Sequence, residues 1–280
     1  MTAPQRLPIS TANSTFQVIE SLIANRVKRH RSRTFVLEGV QPITRALAHG
    51  WTFDALLCQQ GARLSNWAAE VISTSGAPVC YELTADLLQA LSSRDDGSEL
   101  LAVVRMAGDD LSRIDVRAPF TAIVMDRPGS PGNLGTIVRS ADGLGARGVI
   151  VSGHGVDLYD PATIAASRGS LFALPVVAVP SHDAVLSWVE HVRATLGACT
   201  IVGADERATM DLADCDLTGP VVAVFGNESH GLSRAYRAAC DRLVRIPMQG
   251  SASSLNVGVA ASIVLYESEQ QRRTQRNPPI

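Results

Sequence analysis

The chain has 280 residues, 46% of them apolar, 19% charged and 5% aromatic, with a formal net charge of −2. That length predicts roughly two domains with ample core, and the near-neutral balance excludes a globally basic binder, so any nucleic-acid surface must come from local clusters. No apolar run approaches the ~20 residues of a membrane-spanning helix, and the polar N-terminus does not resemble a signal peptide, so a cytoplasmic protein without a membrane partner is expected.

Residues 16–33 begin as an amphipathic helix and finish with Arg26, Lys28, Arg29, Arg31 and Arg33 beside His30. Such a run can neutralise several phosphates; the plainer alternative is a solvated helix end favoured by the dipole. The pattern then predicts a strand over Thr34 to Gly39, a helix from Pro42 to His49 closed by Gly50, and a strand over Phe53 to Leu57. A helix around Trp67 to Ser73, a strand at Val79 to Tyr81, a helix over Leu83 to Leu91 and a strand over Leu100 to Arg105 complete a small α/β unit. It contains no nucleophile–base pair. Ala107 to Pro119 is polar and mixed in charge, as a linker is, and places a boundary near Arg113, giving domains 1–113 and 114–280.

Beyond it, strands at Thr121–Met125, Gly148–Ser152, Val176–Val179, Cys199–Ala204, Val221–Phe225 and Leu243–Ile246 alternate with helical segments, the signature of a mostly parallel sheet. In such sheets ligands sit beyond the carboxyl ends of the strands. After the first strand comes Asp126-Arg-Pro-Gly-Ser-Pro-Gly-Asn133-Leu-Gly135, a loop running into a helix in which Asn133 can cap and Arg139 projects near the helix start. Gly143-Leu-Gly145-Ala-Arg-Gly148 matches a dinucleotide fingerprint, but it closes a helix and leads into a strand, so capping explains it better. Arg168, in a small-residue loop after a short helix, is a second candidate phosphate ligand. A lone surface arginine is ordinarily only a solvated cation.

The strand Val221–Phe225 ends in Gly226-Asn227-Glu228-Ser229-His230-Gly231, where Glu228 by itself reads as a cap for a helix near Ser233. The last strand ends at Ile246-Pro247-Met248, turns through Gln249 to Ser254, and leads by way of Asn256, a candidate N-cap, into an alanine-rich helix. The cysteines, Cys58, Cys80, Cys199, Cys215 and Cys240, are spread without a CxxC and read as reduced core thiols. His154, His182, His191 and His230 share no metal-ligand spacing, so no metal is expected.

Taken in order, Asn133-x-Gly135-x-x-x-Arg139, Phe225-Gly226-Asn227-Glu228-x-x-Gly231-Leu232 and Ile246-Pro247-Met248 through Ser254-Leu255-Asn256-Val257 resemble the motifs of the SpoU/TrmH family of RNA 2′-O-ribose methyltransferases. The likeness covers Phe120 to Glu267. Thr34 to Arg105 is similar to the L30e-like substrate-binding domain of many ribosomal RNA members. The resemblance implies an α/β catalytic domain with a mostly parallel sheet and a deep C-terminal trefoil knot, S-adenosylmethionine as cofactor, and a homodimer. It implies cofactor contacts at Val202, Gly203, Ala204, Phe225, Gly226, Asn227, Ile246, Met248, Ser254 and Leu255. The catalytic cluster it implies is Asn133, Arg139, Glu228, Ser254 and Asn256. Similarity to the thiostrepton- and avilamycin-resistance enzymes implies that Arg168 also serves the site, and points to 23S ribosomal RNA and to antibiotic resistance. The chain departs from the pattern by a proline-containing stretch, Arg127 to Gly132, before Asn133.

Methyl transfer to a ribose hydroxyl needs in-line approach and stabilisation of developing alkoxide charge. A guanidinium rarely gives up its proton, which favours Arg139 as electrostatic stabiliser and phosphate clamp over a base. With the family in place, Arg26 to Arg33 reads as an RNA contact, extended by Arg272, Arg273 and Arg276. Low aromatic content assigns recognition to phosphates and RNA shape. The rival readings are a transfer RNA 2′-O-methyltransferase, a non-catalytic ribosome-assembly protein keeping the fold, and a nicotinamide-dependent oxidoreductase resting on the glycine fingerprint alone.

Overall fold

The computed structural model describes residues 3–276, which divide into two compact units. The first comprises the chain through Ala107 together with Tyr159–Ala173, and the second comprises Gly108–Leu158 and the chain from Leu174 onward. The chain thus leaves the first unit ahead of Arg113, and residues 159–173 cluster with it rather than with the rest of the C-terminal half.

In chain order the first unit holds β1 (Gln5–Ile9), α1 (Ser14–Ala24), α2 (Arg26–Ser32), β2 (Thr34–Glu38), α3 (Val40–Ala48), β3 (Phe53–Gln59), α4 (Asn66–Thr74), β4 (Val79–Leu83), α5 (Ala85–Leu91) and β5 (Leu100–Arg105). Its five-stranded sheet runs β1-β4-β3-β5-β2, with β1, β4 and β3 parallel and β5 antiparallel to both neighbours. Leu57, Leu83 and Leu101 are fully buried here, each contributing about 1.5–3 kcal/mol by leaving water. The helix read over 16–33 is two helices. Asn25 breaks it with an extended backbone (φ −124°, ψ 110°) and its side chain accepts the Lys28 N–H at 3.2 Å, capping α2.

The second unit begins with β6 (Thr121–Asp126), α6 (Pro131–Gly143) and β7 (Gly148–Ser152). The excursion into the first unit follows, carrying α7 (Pro161–Ser167) and α8 (Ser170–Ala173). Tyr159 stacks on Phe35 at a 4.6 Å centroid distance, and Phe172 meets Trp51 edge-on at 5.3 Å and takes its indole N–H on the backbone carbonyl at 3.0 Å. Those aromatic contacts are the physical reason the excursion belongs to the first unit.

The chain returns through β8 (Val176–Val179), α9 (His182–Leu196), β9 (Thr200–Ala204), β10 (Met210–Asp211), β11 (Val221–Phe225), α10 (Arg234–Ala239), β12 (Arg242–Arg245) and α11 (Val257–Arg276). The seven strands run in the order β10-β12-β9-β11-β6-β7-β8 and every pairing is parallel. Every residue of β6, β7 and β11 is buried, the continuous apolar run expected of a sheet covered on both faces. Strand order grows outward from β6 to β8 and then reverses to β9, so β6 and β11 flank a switch point, where ligands bind beyond the carboxyl ends.

The last helix ties this edge to the opposite one. Gly258 lies against Thr136 of α6, where an added Cβ would come within 3.1 Å of the threonine methyl, and the Ser140 and Ser262 hydroxyls meet at 2.7 Å. Near its other end the helix reaches the amino ends of the central strands: Arg272 is buried and donates to the carbonyls of Phe120 at 2.8 Å, Gly219 at 2.8 Å and Thr218 at 3.2 Å. This corrects its assignment to an RNA patch, since the guanidinium is buried and turned inward onto three carbonyls. Arg273 and Arg276 are exposed, the latter 3.7 Å from Glu269. All five cysteines are free and four are buried. Among the described residues no cluster of potential ligands could hold a metal, and no helix is long and apolar enough to cross a membrane.

Candidate active site

Register brings the carboxyl ends of four strands level, because Met125 and Ala204 both pair with Phe225, and Val244 pairs with Ala204. The stretches that follow, 127–130, 205–209, 226–232 and 246–256, therefore leave the sheet along one edge. Val202 and Gly203 are buried within β9 and Ala204 is half-buried at its end. Gly203 has Cys240, Leu243 and Leu232 where a Cβ would stand, each within 2.9 Å.

The turn after β11 is closed by Asn227, which exchanges two backbone hydrogen bonds with Gly231 at 3.0 and 2.8 Å. Gly226 enters it so tightly that a Cβ would lie 2.0 Å from the Gly231 carbonyl carbon and 2.2 Å from the Leu232 nitrogen, so only glycine fits. Asn227 also works through its side chain, accepting from the Ser229 and His230 N–H groups at 3.0 and 3.2 Å and donating to the Arg127 carbonyl at 2.8 Å. Arg127 stands in the left-handed region at φ 54° and turns its guanidinium back onto buried Asp126. The other Asp126 oxygen is shared with the Ser233 N–H at 2.7 Å, at the start of α10. The proline-containing stretch before Asn133 is thus clamped to the turn after β11.

Glu228 completes the clamp. Its carboxylate accepts from the Gly129 N–H at 2.8 Å, the Ser130 N–H at 3.1 Å and the Asn133 side-chain amide at 3.0 Å. Burial alone would raise its pKa, but these donors outweigh it and hold the carboxyl below its ordinary value. The carboxylate serves the N-terminus of α6, not the helix near Ser233, which Ser233 caps itself by accepting the Tyr236 N–H. Asn133 likewise does not cap. Ser130 does so at 3.3 Å with Pro131 at the first helical position, a Ser-Pro signal legible in the sequence. Asn133, one turn in, is freed to pass the contact on: its carbonyl oxygen accepts from the Asn256 amide at 2.9 Å, and Asn256 caps α11 by accepting the Gly258 N–H at 2.8 Å.

Three segments are joined by the chain Gly129/Ser130–Glu228–Asn133–Asn256, whose contacts each span 95 to 123 positions. Ile246 and Leu255 are half-buried, whereas Met248 and Ser254 are exposed, and among the described residues no hydrogen bond involves 247–255. Main-chain groups of that stretch face no internal partner, beside a turn walled by glycine. That suits a cofactor held by backbone groups. Arg139, two turns along α6 from Ser130, is exposed and without a hydrogen-bond or ion-pair partner among the described residues.

The remaining predicted cations divide. Arg26, Lys28, Arg31 and Arg33 are exposed, Arg33 in the left-handed region and donating to the Ala107 carbonyl at 2.9 Å. Arg29 is buried, donates to the Leu22 and Ile23 carbonyls at 2.9 and 2.8 Å, and lies 3.7 Å from Asp160. It caps the end of α1 and is withdrawn from the phosphate-binding set, a correction that charge counting along the sequence could not supply. Arg168 is exposed at the end of α7, within the first unit. Asp126, Arg127 and Ser130 were missed as contributors to the site.

Fold and site define a class, an α/β protein with hydrogen-bonded loops gathered at the carboxyl edge of a parallel sheet, where such folds bind their ligands. The SpoU rRNA Methylase family matches residues 121–266 and its L30e-like domain matches residues 13–102, and the chain belongs to this family. It is 46% identical over 274 residues, 98% of this chain and 95% of the relative, to a 23S rRNA (uridine(2479)-2′-O)-methyltransferase of Streptomyces viridochromogenes. The crystal structure of the SpoU methyltransferase AviRb from that organism, in complex with the cofactor AdoMet, matches with a TM-score of 0.89 at 46% identity, covering 94% of this chain and 99% of that one. An AdoMet-bound rRNA methyltransferase from Sinorhizobium meliloti matches with a TM-score of 0.83 at 28% identity over 95% of this chain and 98% of that one.

Proposed function

We propose that this enzyme transfers a methyl group from S-adenosylmethionine to the 2′-hydroxyl of one nucleotide in 23S ribosomal RNA. The observation that carries the reading is the hydrogen-bonded chain from Gly129 through Glu228 and Asn133 to Asn256, which unites the three motif loops at one sheet edge. In this reading Val202, Gly203, Ala204, Phe225, Gly226, Asn227, Ile246, Met248, Ser254 and Leu255 hold the cofactor, which supplies the methyl group. Glu228, with all its close donors already engaged, is a clamp and not a base. Arg139 carries an uncommitted guanidinium that stabilises charge developing on the ribose oxygen and grips the adjacent phosphate. Ser254, exposed in the 247–255 stretch, completes the catalytic set with Asn133, Arg139, Glu228 and Asn256.

The reading extends to a first domain over 1–113 that binds RNA through Arg26, Lys28, Arg31 and Arg33, with Arg168 of the 159–173 excursion as a further contact, and a catalytic domain over 114–280 whose C-terminal segment is threaded as the knot. A homodimer through the catalytic domain is supported by Val259 and Tyr266, exposed to 47% and 55% and two turns apart on α11, the helix packed on the one bearing Arg139. We place the enzyme in the cytoplasm and assign it a part in resistance to a ribosome-directed antibiotic. Expression in a sensitive host raises the inhibitory dose if that part is right and leaves it unchanged if it is wrong.

The test of the activity is mass mapping of ribose methylation on 23S ribosomal RNA incubated with the protein and labelled donor. One modified ribose is expected, and none would overturn the reading. In the same assay Arg139→Ala lowers turnover by about 10²–10³-fold, with cofactor affinity retained and stability within about 0.5 kcal/mol. Near-normal methylation by this variant refutes the role of Arg139.

A further inference from the structure

The excursion that carries α7 is held at both ends by the first unit. At its start Asp160 caps α7 by accepting the Ala162 N–H at 2.9 Å and meets buried Arg29. At its finish the Arg168 carbonyl accepts from the Gln41 side-chain amide of α3 at 3.1 Å. One turn along the same face of α3 stands Arg45, whose stem lies directly over Gly169: a Cβ there would come 2.6 Å from Arg45 Cγ and 3.1 Å from its Cβ. Arg168 and Gly169 are both left-handed, at φ 50° and 91°. For an arginine that conformation costs roughly 1 kcal/mol, and the side chain it sets is nevertheless left in solvent.

Arg45 and Arg168 are exposed neighbours across Gly169, and among the described residues neither guanidinium has a hydrogen-bond or ion-pair partner. Elsewhere in the unit Arg6 pairs with Glu82, Arg94 with Asp96 and Arg105 with Asp54. Two adjacent cations without an acid repel each other, and an anion between them relieves that. We propose that Arg45 and Arg168 form a two-guanidinium clamp for one phosphodiester of the RNA substrate, with Arg45 as its new member. The planar forks of two arginines match the tetrahedral oxygens of a phosphate better than point charges do. The choice of RNA as the source of that phosphate rests on the function proposed above.

The experiment measures affinity of the full chain for transcribed 23S ribosomal RNA from about 50 to 200 mM salt. Arg45→Gln is expected to weaken binding about fivefold and to lower the slope of log K against log salt by about 0.7–0.9. Arg63→Gln, which removes another exposed cation of the same unit, leaves both unchanged. The double variant Arg45→Gln/Arg168→Gln loses less than the product of the single losses, as two residues sharing one phosphate must. Unchanged affinity and slope for Arg45→Gln, with normal thermal unfolding, overturn the clamp, as do strictly multiplicative losses. If the wild-type protein methylates ribose while Arg45→Gln is neutral, the clamp alone fails. If the Arg45 effect appears without any methylation, the clamp stands and the proposed activity falls.

Discussion

Two segments leave the same edge of the parallel sheet and are constructed in opposite ways. Residues 226–232, after β11, are held by backbone exchange between Asn227 and Gly231, by the Asn227 side chain and by three donors on Glu228. Residues 247–255, after β12, make no hydrogen bond among the described residues until Asn256 pins the start of α11. The difference teaches a division of labour. The first segment is a preformed wall whose shape is fixed before any ligand arrives. The second leaves its main-chain groups without a hydrogen-bond partner among the described residues, available to a ligand.

The comparison breaks most severely at Gly226. With backbone atoms 2.0 and 2.2 Å from the place of a Cβ, Gly226→Ala has no side chain to push aside and must open the turn itself. We expect a loss of about 3 kcal/mol in denaturant unfolding together with loss of detectable cofactor binding by calorimetry. A variant that binds cofactor normally would show the wall to be dispensable.

A smaller effect follows from Glu228→Gln, which keeps the shape and replaces one accepting oxygen by a donor facing the N–H groups of Gly129 and Ser130. Because the site is partly solvated, the expected cost is about 1 kcal/mol. The pH dependence is the sharper sign. The Glu228 carboxyl is held below its ordinary value, so its contribution is fully present above about pH 4.5 and is lost as pH falls through the lowered native value. The wild-type protein loses that increment on acidification, and Glu228→Gln has none to lose. Identical acid limbs for the two would refute the clamp.

The sequence and the structure agree where one residue's surroundings are its own neighbours. Four strands, among them Gly148–Ser152 and Val221–Phe225, are bounded as their apolar runs predict. Disagreement arises where distant partners decide. β1 escapes notice because four of its five residues are exposed and Pro8 interrupts it, its place being set by pairing with β4. Arg29 and Arg272 look like any other cation in a basic run, and only the fold shows them turned inward onto carbonyls. The motif residues were identifiable by family likeness, but that Glu228 reaches back to Ser130 and Asn133, and that Asn133 hands the contact on to Asn256 instead of capping α6, depends on contacts spanning 95 to 123 positions. Local spacing carries no information about those.

The subtlest consequence of the contrast lies in exchange rates. Amides in 248–255 have no acceptor among the described residues, so in the free protein they should exchange at close to the unprotected rate, while the Asn227 and Gly231 amides, each bonded to the other residue's carbonyl, are protected. Binding of S-adenosylmethionine to the folded state alone, at a hundred times its Kd, stabilises whatever it orders by up to about 2.7 kcal/mol. Hydrogen exchange should then slow by as much as about 100-fold in 247–255, and hardly at all at Asn227 and Gly231, whose acceptors are already in place. Equal slowing in both segments would mean that the turn after β11 is also assembled by the ligand. Slowing in the turn alone would put the cofactor against a different wall from the one drawn here.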